Sequence, residues 1–180
     1  MSPMTTERMT EGDAPPMPWS GVEERLEHPE RPRTYWLATT RRQGRPHVMP
    51  LIAGWIDSAL YFLTGLTSQK GRNLERDPRC VISTGSTTLP SIDIILEGEA
   101  LRVTESAELD RVVEFFSTVM EWPQLEVRDG LVHGPNAPTA GPPPYALFRF
   151  SPATVYGLPG MTGMEEFEPS ELPVPTRWRF

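Results

Sequence analysis

Short runs of β-branched and aromatic residues, separated by turn formers, dominate the chain from Thr34 onward. Residues 34–40 are followed by a turn around Gln43-Gly44, then by 47–53 with Trp55-Ile56, a tight Asp57-Ser58 turn, and 59–64. This spacing predicts three consecutive strands in an antiparallel meander. A short helix over 68–76 leads into two further strands, 79–84 and 91–103, the second long enough to curve, with Gly98 at a bend or bulge. One stretch changes period. Leu109, Val112, Val113, Phe116, Val119 and Met120 recur at three and four residues, which predicts a helix over 105–120 packing on the core. Residues 145–150 and 154–157 then return to β.

The flanks carry different signals. Residues 1–18 hold Pro15, Pro16 and Pro18 among polar neighbours and read as a mobile tail, with a single domain over 19–180. Ser20 and Glu23 have capping-box spacing for a short helix whose face is Val22 and Leu26 and which Pro29 would end. The excursion 122–144, closing on Gly141-Pro-Pro-Pro144, is too poor in donors for regular structure and reads as a shaped loop. An acidic segment, 165–171, precedes the aromatic ending Thr176-Arg-Trp-Arg-Phe180, which must dock to cover Trp178 and Phe180.

Composition narrows the partners. The formal charge of -7 and the pI near 5.0 argue against binding nucleic acid, which needs a basic surface. Cys80 is the only cysteine, so the chain forms no internal disulfide, and its neighbours Val81 and Ile82 suggest a buried structural thiol in a reducing compartment. No apolar run approaches the roughly 18 residues of a membrane span, and the N-terminus lacks a signal-peptide pattern. The expectation is a cytoplasmic protein without a membrane partner.

Against that acidic background one cation is conspicuous. Lys70 is the sole lysine beside 16 arginines, and the two side chains are not equivalent, an ammonium being a compact point charge and a guanidinium a planar fork. With Thr67 or Ser68 as N-cap, Lys70 lies in the first turn of a helix, where the macrodipole disfavours positive charge. An anion held by the helix amides, the Ser/Thr hydroxyls, Lys70 and Arg72 would remove the conflict. The alternative is a solvated face in which Glu75, Arg76, Asp77 and Arg79 pair locally. Pro50 sits inside an apolar strand, where it cannot donate to a ladder, and is confined to an edge or a bulge. Such an edge can receive a planar heterocycle or a second subunit, or stay protected with neither.

Other chemistries lack their motifs. Gly65 to Lys70 is not a phosphate-binding P-loop, there is no Gly-x-Ser-x-Gly elbow, and Gly157, Gly160 and Gly163 are misplaced for a dinucleotide turn. His28, His47, His133 and Cys80 share no metal-ligand spacing, so no metal site is expected. His47, at the start of the Pro50 strand, reads as a hydrogen-bonded structural residue before a general acid.

Gly44-Arg-Pro-His-Val-Met-Pro50, Leu60-Tyr-Phe-Leu-Thr64 and Ser68-Gln-Lys-Gly-Arg-Asn-Leu-Glu-Arg-Asp-Pro78 resemble the pyridoxamine 5'-phosphate oxidase-like superfamily of flavin and deazaflavin proteins. The likeness runs from about Trp19 to the end, and Thr176–Phe180 is similar to the ending of many actinobacterial-type members. It implies a mainly β (α+β) fold, a split β-barrel of about six antiparallel strands with flanking helices. Lys70 matches the family's phosphate-binding lysine, and Thr64 a strand-end residue near the phosphate. The stretch His47, Val48, Met49, Pro50, Leu51 and Ile52 matches the strand along the isoalloxazine, and Arg72 and Asn73 match positions used by relatives that bind coenzyme F-420. Ser68, Gln69, Tyr156 and Trp178 complete the expected cofactor-binding set, and no catalytic nucleophile is implied.

Three departures matter. True oxidases carry an arginine where this chain has Gln69 and a lysine where it has Ile52, and the Tyr-x3-Arg-x3-Ser face that holds the substrate phosphate is missing from 105–120. Pyridoxamine phosphate oxidation is therefore not expected. One lysine beside neutral Gln69, with Arg72 and Arg76 further along, suits the spread-out phosphodiester and glutamates of F-420 better than the near-dianion of FMN. The resemblance thus implies hydride transfer between F-420 and a small conjugated or heterocyclic substrate in a homodimer. FMN chemistry, or cofactor or haem binding without turnover, is the alternative. The proton donor is left among His47, Tyr156 and solvent.

Overall fold

The computed structural model describes residues 1–28, 34–85, 88–137 and 139–180. Its frame is an antiparallel sheet of eleven strands that does not close, so the architecture is a mainly β split barrel. The strands are β1 (Thr5–Arg8), β2 (Tyr35–Thr40), β3 (Pro46–Leu51), β4 (Ala53–Ile56), β5 (Ala59–Gly65), β6 (Arg79–Gly85), β7 (Ile92–Arg102), β8 (Glu126–Arg128), β9 (Leu131–His133), β10 (Tyr145–Pro159) and β11 (Thr176–Arg179). Three α-helices flank them: α1 (Trp19–Glu27), α2 (Gln69–Arg76) and α3 (Ser106–Thr118). The sheet runs β1-β11-β10-β7-β6-β2-β3, while β5 pairs with β10 and carries β4 on its other side.

Strand β5 and the first four residues of β10, Tyr145 to Phe148, read as apolar runs because both of their faces are covered. Leu60 and Phe62 of β5, with Ala146, Phe148 and Phe150 of β10, point into a core shared with α1. Tyr61 and Leu63, with Tyr145 and Leu147, point the other way, onto Leu109, Val112 and Phe116 of α3. Period-two alternation thus divides one pair of strands between two cores. The helix periodicity seen at 105–120 is real, with Glu105 as N-cap accepting from the Ala107 and Glu108 amides.

Several expectations are corrected. The meander is interrupted: β3 pairs only with β2 and β4 only with β5 among the described strands, the chain crossing over at Ile52. Pro50 lies on an edge strand opposite Trp36, as its missing donor requires. The segment 1–18 is not wholly tail, because β1 pairs in register with β11 and Glu7 bonds to Arg177 and Arg179. Helix α1 starts at Trp19 after Pro18, with no side-chain cap from Ser20, and Pro29 lies outside the described residues. The excursion 122–144 contains the β8–β9 hairpin, turned at Asp129 and Gly130, both with positive φ. The bulge lies across from Gly98, on β10 between Pro152 and Thr154, and Gly98 is needed because a Cβ there would collide with the Ser151 carbonyl. The strand count rises from about six to eleven because several pieces are short edge or hairpin strands.

Candidate functional site

Ser68 caps α2, its Oγ accepting from the Gly71 amide at 3.0 Å and lying 3.2 Å from Thr64 Oγ1. Glycine at 71 lets the helix press against the end of β5, since a Cβ would run into the Gly65 carbonyl and Leu66 Cα. That close approach sinks the first turn. Lys70 is only 3% exposed, and its Nζ donates to the Thr139 carbonyl. Burial pushes its pKa down to about 8, because removing an ammonium from water penalises the charged form.

Around Lys70 a polar chain joins α2 to the β2–β3 edge. Gln69 donates to Asn73 at 2.8 Å, Asn73 donates to Thr39 Oγ1 at 2.9 Å, and Thr39 Oγ1 lies 3.5 Å from His47 Nδ1. Arg41 and Arg72 both donate to Gln69 Oε1, at 3.2 and 3.3 Å. Arg72 also donates to the Thr67 carbonyl, and Arg76 to that of Thr40. Among the described residues none of Arg41, Lys70, Arg72 or Arg76 forms an ion pair with a carboxylate. His47 is held below the usual imidazole range by burial, and further by the Arg41 and Lys70 charges. It is therefore largely neutral at neutral pH.

Next to the cluster lies a cavity of about 800 Å³. Tyr35, Pro50, Leu51, Trp55 and Phe115 are among its walls, and Thr139, whose carbonyl Lys70 reaches, also lines it. Anion-binding potential and an apolar chamber therefore meet at one residue.

The structure sorts the expected site residues. Ser68, Gln69, Lys70 and Arg72 converge at the start of α2. Thr64 and Asn73 are buried and spend their polar groups internally, so they position the cluster and offer no surface of their own. Along β3, His47, Met49 and Leu51 occupy one face and Val48 and Pro50 the other, so no single ligand meets all five side chains. Tyr156 shares a register row with Pro50 but stands four strands away, with its hydroxyl 3.3 Å from Glu97. Trp178 is wholly enclosed, edge-on to Trp19 at 5.7 Å, and is core. Arg41, Thr39 and Thr139 were not anticipated. Arg41 follows a strand end and could have been guessed; Thr139 sits in the proline-rich excursion, where no pattern singles it out.

Cys80 is buried, its thiol pushed up to about 12 by burial, as an inert structural group requires. Among the described residues no group of three metal-ligating side chains assembles, and no helix is long and apolar enough to cross a membrane.

Residues 22–158 match the family model described as pyridoxamine 5'-phosphate oxidase. This chain belongs to that family. No curated protein matches it. Solved structures share the fold at low identity. A conserved hypothetical protein from Mycobacterium tuberculosis aligns at TM-score 0.58 and 21% identity, covering 81% of this chain and 91% of that one. An FAD-binding protein from Mesorhizobium loti aligns at 0.56 and 15%, covering 91% and 95%. A haem-binding protein from Mycobacterium smegmatis aligns at 0.57 and 18%, covering 81% of this chain but only 56% of its own length. In this member of the pyridoxamine 5'-phosphate oxidase family the first turn of α2 holds a buried lysine, Lys70.

Proposed function

We propose that this protein is an F-420-dependent oxidoreductase acting on a small conjugated or heterocyclic substrate. The observation that carries the reading is buried Lys70 at the helix start with Arg41 and Arg72 beside it and Arg76 at the helix end, none of them in an ion pair among the described residues, in a chain of net charge -7. A buried, unneutralised ammonium is costly unless an anion completes it. Lys70 and Ser68 would hold a phosphodiester, Arg41, Arg72 and Arg76 the spaced carboxylates beyond it, and the Pro50–Leu51 edge the ring. Such spread-out cations, with neutral Gln69 beside the lysine, favour F-420 over the compact dianion of FMN.

The coenzyme supplies the hydride chemistry when bound, and the protein supplies binding, orientation and exclusion of water. No protein nucleophile is needed. Neutral His47 is better suited to hold a hydrogen bond than to donate a proton, and Tyr156 stands far from the cluster, so solvent is the proton source in this reading. Ile52 lines the cavity, and without a lysine there the chain is not a pyridoxamine phosphate oxidase.

A homodimer with the ring at its boundary is part of the proposal. Trp36 and Val48 are 48% and 53% exposed on the outer face of the β2–β3 edge, and apolar area of this kind favours a partner surface. The single buried thiol is in keeping with a cytoplasmic setting. The test is a titration of apo-protein with F-420 and FMN side by side, with light scattering for mass. F-420 is expected to bind more tightly, to a dimer. FMN binding more tightly would shift the reading to a flavin enzyme, and no binding of either would remove it.

A further inference from the structure

Resting on the reading of Lys70 as an anion ligand, we propose that residues 139–142 form a strap that stands in for the ligand, its Thr139 carbonyl occupying the seat that an oxyanion takes on Lys70. At 3% exposure the ammonium cannot meet an external group while that carbonyl covers it. An ammonium carries three N–H donors, yet among the described residues Nζ has one acceptor, and a neutral one. A charged oxygen bonds a cation roughly twice as strongly as a neutral one does. The exchange of carbonyl for phosphate is therefore favourable, provided the strap can move. Thr139 also lines the cavity beside Pro50 and Leu51, so its withdrawal opens Lys70 toward the edge that receives the ring of the same ligand.

The strap is held by a few neutral bonds. The Ala140 carbonyl accepts from the Gly65 amide at 3.0 Å, and the Ala140 and Gly141 amides both donate to the Ala137 carbonyl at 3.2 Å. Gly141, with φ at +84° and open space where a Cβ would stand, reverses the chain. Beneath it lies the latch. The hydroxyl of fully buried Tyr145 accepts from the Ala137 amide at 3.0 Å, and it can donate to the Gly141 carbonyl at 3.0 Å or to that of Pro135 at 2.9 Å. One neutral bond of this kind shifts an equilibrium by roughly fivefold, so a charged contact on Lys70 competes with the latch on even terms.

The test follows backbone amides and needs no cofactor. Hydrogen exchange in the full-length apo-protein, read residue by residue by NMR, reports strap opening at Gly65, Ala140 and Gly141. Inorganic pyrophosphate, used as a bare anion, is expected to speed exchange at all three about tenfold. In Lys70→Met the same amides should exchange faster from the outset and ignore pyrophosphate. Tyr145→Phe removes the latch, and Gly141→Ala strains the turn from a second, surface position, which keeps the test open should the first variant fold poorly. Either should strengthen pyrophosphate binding about fivefold, because less of the protein is held closed. Pyrophosphate that binds through Lys70 while the three amides stay protected overturns the proposal. So does unchanged anion affinity in the folded latch variants, or no binding to wild type and variants alike. Failure of the cofactor reading would show instead as F-420 failing to bind while pyrophosphate still releases the strap.

Discussion

In the cleft beside α3, charge is matched by charge. Arg111 pairs with Asp57 at 2.8 Å, Arg149 lies 4.0 Å from Glu108, and the Tyr61 hydroxyl donates to Glu108 at 2.7 Å. At α2 the hydrogen bonds of Arg41, Lys70, Arg72 and Arg76 go, among the described residues, only to amide and carbonyl oxygens. Both hollows are polar, and a simple count of charged residues would rate them alike. What separates them is balance. A self-neutralised cleft has nothing left to offer a ligand, whereas an ammonium buried against a neutral carbonyl leaves an electrostatic demand that an external anion can satisfy.

The sharpest way to break this contrast is Lys70→Met, which keeps most of the unbranched stem and removes the charge. Charge-assisted hydrogen bonds contribute about 1.5–3 kcal/mol, so F-420 affinity should fall up to about 100-fold in a titration. Folding stability should hold within about 1 kcal/mol, since losing a buried charge offsets leaving the Thr139 carbonyl without its donor. A destabilised variant with unchanged affinity would make Lys70 a structural residue. Next in size is Gly71→Ala. The added methyl must displace either α2 or the Gly65 carbonyl, at a cost of about 1–3 kcal/mol in chemical denaturation. It should also weaken the cofactor by tilting Lys70 off its site, an effect that no substitution in the α3 cleft should share.

How much of this was legible in the sequence follows from how local each signal is. Ser68 as cap, Asp57-Ser58 as a turn and Pro50 on an edge are decided by neighbours a few residues apart, and each is seen. The solitary lysine stood out for the same reason. Thr139 did not, because its role arises from 69 residues of intervening chain that bring its carbonyl to Lys70. Trp178 shows the opposite error. An aromatic residue near the terminus reads as a cofactor contact, but enclosure by Trp19 and neighbouring core rings makes it packing. The β1–β11 pairing was invisible because Thr5–Arg8 has no apolar signal and is held by ladder bonds and by Glu7 between two arginines.

The titration of Lys70 offers a finer comparison. Its folded pKa, about 8, lies below the ordinary 10.5 of the unfolded chain. Between those values the unfolded state binds more protons, so stability rises with pH across that window, by up to about 1.4 kcal/mol per pH unit. Below the window both states are charged and the burial penalty is constant. Anion affinity follows the opposite course, level below pH 7 and falling up to about tenfold per unit above pH 8 as the ammonium is lost. Stability and binding curves of wild type against Lys70→Met, from pH 6.5 to 10.5, should show both trends only in the wild type.

The smallest expected effect lies in the paired cleft and gives the contrast its control. Arg111 and Asp57 are both largely exposed, at 46% and 76% of their side chains, and surface pairs of this kind contribute about 0.5 kcal/mol or less. Arg111→Ala should therefore lower stability by no more than that and leave F-420 affinity unchanged, although it removes a full positive charge from a chain of net charge -7. If affinity fell as far as in Lys70→Met, the cofactor would be responding to overall charge, and the distinction between matched and unmatched cations would lose its force. An unchanged Kd at moderate salt, where screening beyond about 10 Å suppresses long-range effects, would locate the recognition at α2 itself.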